Sequence, residues 1–476
     1  MDDDPWLGVS INLDALQGII CQVFRVSPHE VGQPIPIGSQ LFKNYAQVYS
    51  FQIAPSCDAE THSVVARLVL PVKPLFKTEN EVAAMDFVRN HTTLPVPKVY
   101  AYCSDSNNPV GVEWILMEHM PGVEMGEGWE QLDYTQKRTL ALDLVDLYDQ
   151  LSRLKADGCG GIYHKVVNSE DSSIPGTTIR SSSRSLRWSS LSPEFLRALR
   201  SHCNHKVTIK NHYELGPLND ISLVNYRLTV PTPSQTMPIF TSDEYVKLIA
   251  FNGNPSTRST YDLPTREKCV ELFQSIYKLY PNSTVFGPSA DACKFCFSHG
   301  DLHDGNILID PQSGIITGII DWESAAFRPL WAEVRGVGWF EEGRQRFIFG
   351  SDPPGDFKDD IDPEDVRLRA FFRTELHKRN PELYSAFVGG VELRAVVHAA
   401  ADDPRPIGET DIFLSRYYRY ELPRKEGKKE RYWEERRRGP FPWDMNAWRH
   451  RRMDLDEMLM KQEKLLESLN GEEIRK

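Results

Sequence analysis

The chain lacks a long apolar run, and it lacks a basic, apolar start. It opens Met1-Asp2-Asp3-Asp4-Pro5, the reverse of a signal-peptide n-region, and no stretch approaches the roughly 20 apolar residues that cross a bilayer. Both absences lead to the expectation of a soluble, cytoplasmic protein with no membrane partner. Positive charge is in deficit as well: 55 Lys and Arg stand against 67 Asp and Glu, a net charge of −12. Nucleic-acid binders normally show a basic balance, so no nucleic-acid partner is expected. Cysteine is sparse, with eight residues scattered over 476, which is no disulfide framework and fits reduced thiols. Cys293-Lys294-Phe295-Cys296 has no second pair at metal-site spacing and reads as core thiols on a buried segment. Nothing in the pattern fixes an oligomeric state.

What the chain does carry is apolar matter for a sizeable core, 40% of residues, and one dense polar block. His299-Gly300-Asp301-Leu302-His303-Asp304-Gly305-Asn306 is followed, fifteen residues after Asn306, by Asp321-Trp322-Glu323. Between them lie two β-branched runs, Ile307-Leu308-Ile309 and Ile315-Ile316-Thr317-Gly318-Ile319-Ile320, joined by Asp310-Pro311-Gln312-Ser313-Gly314. This pattern predicts a hairpin. A hairpin returns the chain to its starting level, so Asn306 and Asp321 should lie side by side at its open end. Two oxygen ligands at one point suit a hard cation such as magnesium. Asp301 adds a carboxylate for an acceptor hydroxyl, which completes the polar set of a phosphoryl-transfer site. Any one of these residues alone reads equally well as a polar turn beside a buried hairpin; their joint spacing is what favours chemistry.

On these residues the sequence resembles the aminoglycoside phosphotransferase and choline kinase-like family, whose fold is related to that of protein kinases. The resemblance covers most of residues 38–340 and is closest to an uncharacterised fungal branch. It implies an α+β, protein-kinase-like two-lobed fold: a helical leader at 1–37, a small strand-rich nucleotide-binding N-lobe at 38–120, a larger, mostly helical C-lobe at 121–405, and a charged tail at 406–476. It implies ATP and magnesium as cofactors and transfer of the γ-phosphoryl group to a small-molecule hydroxyl. Asp301 is then the catalytic base, His299 orients its loop, and Asn306 and Asp321 are the magnesium ligands. Protein kinases have Arg where this chain has Gly300 and Phe where it has Trp322, and no Ala-Pro-Glu follows, so an enzyme acting on protein side chains is the more distant relative. A non-catalytic pseudokinase-type binding module is the alternative from another class.

The nucleotide side carries weaker signals. Gly38-Ser39-Gln40-Leu41-Phe42 and Gln47-Val48-Tyr49-Ser50-Phe51-Gln52-Ile53 read as strands around the turn Lys43-Asn44-Tyr45-Ala46. By resemblance that turn covers the ATP phosphates, yet it has no glycine and would work through backbone amides. Arg67 is the cation embedded in the apolar strand 63–70, where the family holds a phosphate-gripping lysine; Arg and Lys are not interchangeable there, and Lys73 and Lys77 are the alternatives. Its partner aligns best with Glu81, with Glu79 as fallback, on a helix opening at Thr78 with Val82, Met85 and Val88 on one face. Residues 113–118 read as a strand, after which the backbone of Glu118, His119 and Met120 would, by resemblance, meet the adenine.

Leu140, Leu144, Leu147, Tyr148, Leu151 and Leu154 recur at helical spacing. Residues 168–192, rich in Ser and Arg, read as a solvated, partly disordered insertion. The run 240–249 reads as a helix capped by Thr241 or Ser242, 325–331 as a lead into further helices, and 351–365 and the mixed-charge stretch from Arg416 as solvated. Asp301, Asp304, Asp321 and Glu323 crowd one region of an acidic chain, which points to a cationic or polyhydroxyl acceptor. Glu323 by itself reads as a surface carboxylate, with contact to substrate or metal as the other option.

Overall fold

Alternation along two strands organises the N-terminal lobe. In the computed structural model, α1 (Leu13–Phe24) and β1 (Ile35–Ile37) precede β2 (Ala46–Ile53), β3 (His62–Val69), α2 (Phe76–His91), β4 (Val99–Cys103) and β5 (Glu113–Glu118). The strands pair antiparallel in the order β1-β2-β3-β5-β4. Val64, Ala66 and Leu68 of β3, with Trp114 and Leu116 of β5, turn to one face and join Leu16, Ile19 and Ile20 of α1. Val65, Ile115 and Met117 turn to the other face and join Val82, Met85 and Val88 of α2. Both faces of the pleat are apolar because a helix covers each. Arg67 is odd-numbered like Val65, so the pleat alone sends it toward α2. α1 forms where Asn12 caps it, accepting from the Ala15 N–H at 3.0 Å.

Beyond the first lobe come β6 (Val123–Glu124), α3 (Tyr134–Arg153), β7 (Lys155–Ala156), β8 (Gly160–His164), β9 (Thr178–Arg180), β10 (Leu186–Trp188), β11 (Thr208–Lys210), β12 (Tyr213–Gly216) and α4 (Ser242–Asn252). They are followed by β13 (Phe295–Ser298), β14 (Ile307–Ile309), β15 (Ile316–Ile319), β16 (Ala326–Pro329), α5 (Pro363–Arg379) and α6 (Pro381–Gly389). A capping box between Asp133 and Gln136 starts α3, its leucine stripe is buried, and α5 packs on it. A second sheet runs β11-β12-β8-β16-β13-β7 and a third β15-β14-β6. Sheet lobe and helix-bearing lobe together make the expected two-lobed α+β fold.

The residues described are 6, 8–38, 46–54, 61–70, 76–165, 178–180, 186–188, 208–210, 212–219, 239–252, 295–334 and 363–390, with single positions within 267–274, 337–340 and 393–397. Lys43, Asn44, Lys73, Cys293 and the tail at 406–476 lie outside them. Among them no helix is long and apolar enough to cross a membrane.

Helix α2 is buried on every side from Phe76 to Val88, because it lies between the first and second sheets. Asn80 Nδ2 donates to the Ala325 carbonyl at 3.0 Å, and Asn80 Oδ1 accepts from the Ile162 N–H at 2.8 Å. Farther along, Asp86 Oδ2 meets His164 Nε2 at 3.1 Å, and Asn219 Nδ2 reaches back to the Phe76 carbonyl at 3.0 Å.

Several sequence expectations change. The strand expected at 38–42 leaves the described residues at Ser39, and the strand observed is Ile35–Ile37, inside the expected leader. Two short pieces of the 168–192 stretch are paired as strands: β10 pairs parallel to β4, Leu186 opposite Ala101, and β9 pairs antiparallel to β10, which widens the first sheet to seven strands. An open edge offers backbone hydrogen bonds to any chain, so a Ser/Arg-rich segment can pair without an apolar face. Ala326–Pro329, read as a lead into helices, is itself a strand, paired with β13. Thr241 caps α4, accepting from the Glu244 N–H at 3.1 Å. Cys296 is buried in β13, as a core thiol should be.

Candidate active site

Ile307 pairs opposite Ile319, so β14 and β15 form the hairpin read from the sequence. Its turn closes on Asp310, which accepts from Gln312 N–H at 3.0 Å and from the Ser313 hydroxyl at 2.7 Å. At the open end the Ile320 N–H donates to the Asn306 carbonyl at 3.0 Å, which sets Asn306 beside the residue preceding Asp321. Asn306 Nδ2 donates to the Asp301 carbonyl at 2.9 Å and ties the loop to the hairpin. His299 makes the second tie. Its Nδ1 accepts the Asp301 N–H at 3.4 Å while its Nε2–H donates to the Ile320 carbonyl at 2.8 Å. Both bonds require the neutral Nε2–H tautomer. Burial, working against the bond to Ile320, lowers the His299 pKa to about 4.

Arg67 gathers three carboxylates. Its Nε stands 3.3 Å from Glu81 Oε1, its Nη2 2.9 Å from Asp321 Oδ1, and the same Nη2 contacts Glu323 Oε2. Lys77 Nζ lies 2.8 Å from that Glu323 oxygen. Lys77, Asn80 and Glu81 are i, i+3 and i+4 on α2, which puts all three on one helical face. Burial opposes the charge on Arg67, but Asp321, Glu81 and Glu323 outweigh it and hold its pKa above the ordinary arginine value. Glu81 goes the other way: burial, aided by Asp321 and Glu323, raises its pKa to about 7 against the pull of Arg67 and Lys77. Glu79 accepts from the Ser104 hydroxyl at 2.6 Å and faces away from Arg67, so Glu81 is the carboxylate at the guanidinium.

Glu323 is no surface carboxylate. Its side chain is 13% exposed and lies against two cations, because the chain enters the 3-10 turn Trp322–Ser324 through Asp321 at φ 64° and folds back under α2. Lys77 and Glu323 are far apart in sequence, and only the shared helical face of Lys77 and Glu81 could have flagged the pair. At the hinge, the Glu118 N–H donates to the Lys98 carbonyl at 2.8 Å and is not open to an adenine. The backbones of His119 and Met120 make no hydrogen bond with other described residues.

Asn306 and Asp321 fit a magnesium site. Asp321 Oδ1 is buried without a well-directed hydrogen bond, although Arg67 Nη2 is 2.9 Å away. An oxygen in that state is suited to a cation, which needs no donor angle. Among the described residues no group of three or more His, Cys, Asp or Glu could hold a metal unaided. Magnesium usually takes one or two protein carboxylates and completes its shell with phosphate oxygens and water, so two protein oxygens suffice.

The His299 shift has a measurable sign. A folded-state pKa of about 4, below the unfolded value of 6.5, contributes stability above pH 6.5 that is lost as pH falls toward 4, about 3 kcal/mol in all. Glu81, raised from 4.5 to about 7, works oppositely: its contribution is complete below pH 4.5 and is lost as pH rises through 7. Comparing His299→Gln with wild type cancels the Glu81 part. Urea titrations from pH 7 to 4 should show a flatter acid limb for the variant; parallel limbs would contradict the buried neutral imidazole.

A model of the phosphotransferase enzyme family matches residues 57–222 and 257–351. A subtelomeric hrmA-associated cluster protein of Aspergillus fumigatus is 26% identical over 343 residues, covering 66% of this chain and 63% of that protein. Altered inheritance of mitochondria protein 9, mitochondrial, of Candida glabrata is 23% identical over 284 residues, 53% of this chain and 43% of its own. The chain thus spans less than two thirds of the length of these curated relatives. Among solved structures, a putative aminoglycoside phosphotransferase from Ralstonia eutropha is 13% identical with a TM-score of 0.39, over 90% of this chain and 100% of that one. With more than half of its residues inside the two matched segments, the chain belongs to the phosphotransferase enzyme family.

Proposed function

We propose that the chain is an ATP- and magnesium-dependent phosphotransferase that moves the γ-phosphoryl group to a hydroxyl of a small molecule. The observation that carries this reading is the Asp301 loop, tied through Asn306 and His299 to the mouth of the hairpin that leads into Asp321. Asp301 would orient the acceptor hydroxyl and take its proton. Asn306 and Asp321 would hold magnesium, which would supply positive charge to offset that of the phosphates. Arg67, braced by Glu81, would grip the nucleotide phosphates; its Nη1 makes no hydrogen bond or ion pair among the described residues. His119 and Met120 would meet the adenine through the main chain. Little covalent work falls to the protein in such a reaction, so positioning and charge account for most of the acceleration.

The acceptor side favours a cationic or polyhydroxyl substrate. Asp321 and Glu323 contribute little to this, being matched by Arg67 and Lys77. Asp304 is joined instead by Glu124, whose pKa is raised by partial burial and by the charges of Glu127 and Asp304. A cation placed there would relieve that repulsion.

Magnesium and ATP together should raise the melting temperature, since a ligand at about 100 times its Kd adds about 2.7 kcal/mol to the native state. A melt with millimolar ATP that does not move, with or without the metal, would end this reading. A binding module without turnover is the second reading, favoured by the Arg67–Asp321 ion pair, which engages a metal-ligand carboxylate. It gives the same melt but no ADP release across a panel of amino alcohols, sugars and aminoglycosides.

A further inference from the structure

Arg67 Nη2 stands between two carboxylates, 2.9 Å from Asp321 Oδ1 and in contact with Glu323 Oε2. A guanidinium seated on Asp321 competes with any divalent cation for that oxygen. If Asp321 were its only acceptor at Nη2, metal binding would strand a buried positive charge, which is strongly unfavourable. Glu81 meets the guanidinium at Nε, 3.3 Å away, with its Oε2 left without a hydrogen bond, so the acceptors at Nη2 are Asp321 and Glu323. Resting on the function proposed above, we propose that Glu323, neutralised by Lys77, is a positioning residue that keeps Arg67 Nη2 bonded when Asp321 turns to a divalent cation, and so sets the magnesium affinity of the site.

Two further observations support this. Helix α2 fixes Glu323 from both ends: Lys77 Nζ holds its carboxylate at 2.8 Å, and Asn80 Nδ2 lies 3.3 Å from its carbonyl. The formal charges agree as well. Arg67 and Lys77 face Glu81, Asp321 and Glu323, one negative charge in excess. Once Asp321 is committed to a metal, the formal charges of the four that remain balance.

The test titrates magnesium into the full chain holding a fluorescent ATP analogue, with anisotropy as readout and ligand-free melts as control. Glu323→Gln should raise the magnesium midpoint about tenfold, the scale of one charged hydrogen bond, and leave metal-free nucleotide affinity within about threefold. Glu323→Asp, which keeps the charge, should recover part of the shift. Lys77→Met should lower it, because an unneutralised Glu323 draws Arg67 off Asp321. That opposite sign keeps the proposal falsifiable if Glu323→Gln does not fold. A wild-type midpoint in Glu323→Gln, or equal losses with and without magnesium, would overturn the positioning role alone. A wild type that binds no nucleotide at any magnesium level would take the parent reading down with it.

Discussion

Asp301→Asn should reduce turnover by about a hundred- to ten-thousand-fold while nucleotide affinity stays near wild type. The substitution is nearly isosteric, and the bonds that place the loop, from the Asp301 N–H to His299 and from Asn306 to the Asp301 carbonyl, are main-chain contacts that a carboxamide keeps. What disappears is the acceptor for the hydroxyl proton, worth about 3 to 5 kcal/mol of transition-state stabilisation at about 1.4 kcal/mol per tenfold. Asp321→Asn should behave differently. Asn tolerates the left-handed backbone that Asp321 adopts at φ 64°, so the fold should survive. The lost negative charge should weaken magnesium-dependent nucleotide binding along with turnover. ADP release and nucleotide titration on both variants separate the two effects. Equal activity of Asp301→Asn and wild type on any phosphorylated acceptor would sink the assignment of Asp301.

Gly300→Ala should cost about 2 to 5 kcal/mol of stability, from left-handed strain plus overpacking. Gly300 sits at φ 84°, and a Cβ there would collide with the Ser324 carbonyl and stand 2.8 Å from Arg328 Nη1. Neither neighbour can yield cheaply. Arg328 is fully buried and spans from the Ser298 hydroxyl at 3.0 Å to that same Ser324 carbonyl at 2.8 Å. The glycine that departs from the protein-kinase pattern is therefore required by close packing of the Asp301 loop against the turn after Asp321. A urea midpoint unchanged from wild type would show that the loop has room the geometry denies.

The hairpin was legible because both its determinants are local. Two β-branched runs and a turn built on Asp310 and Gly314 fix the register, and register fixes where Asn306 and Asp321 emerge. α3 was legible for the same reason, its leucine spacing being a property of one segment. Arg67 and Glu81 could be paired by resemblance, while the choice against Glu79 needed the Ser104 hydroxyl that holds Glu79 elsewhere. That Lys77 pairs with Glu323 was legible only in the helical face Lys77 shares with Glu81, since an ion pair between distant segments imposes no periodicity on either. Pairing of β10 with β4 escaped for a different reason: a backbone ladder at a sheet edge makes small demands on composition.

The burial of α2 bears on control. In protein kinases, the positioning of the corresponding helix decides whether its glutamate reaches the phosphate-gripping cation, and so switches the enzyme. Here that excursion would part Asn80 from Ala325 and Ile162, part Asp86 from His164, and bare Val82, Met85, Phe87 and Val88 to water. The helix is a keystone between two sheets and cannot serve as a lever. If the proposed function holds, its throttle would lie in the supply of nucleotide, metal or acceptor, or in events at the rim, because the element that protein kinases rock is mortared in here.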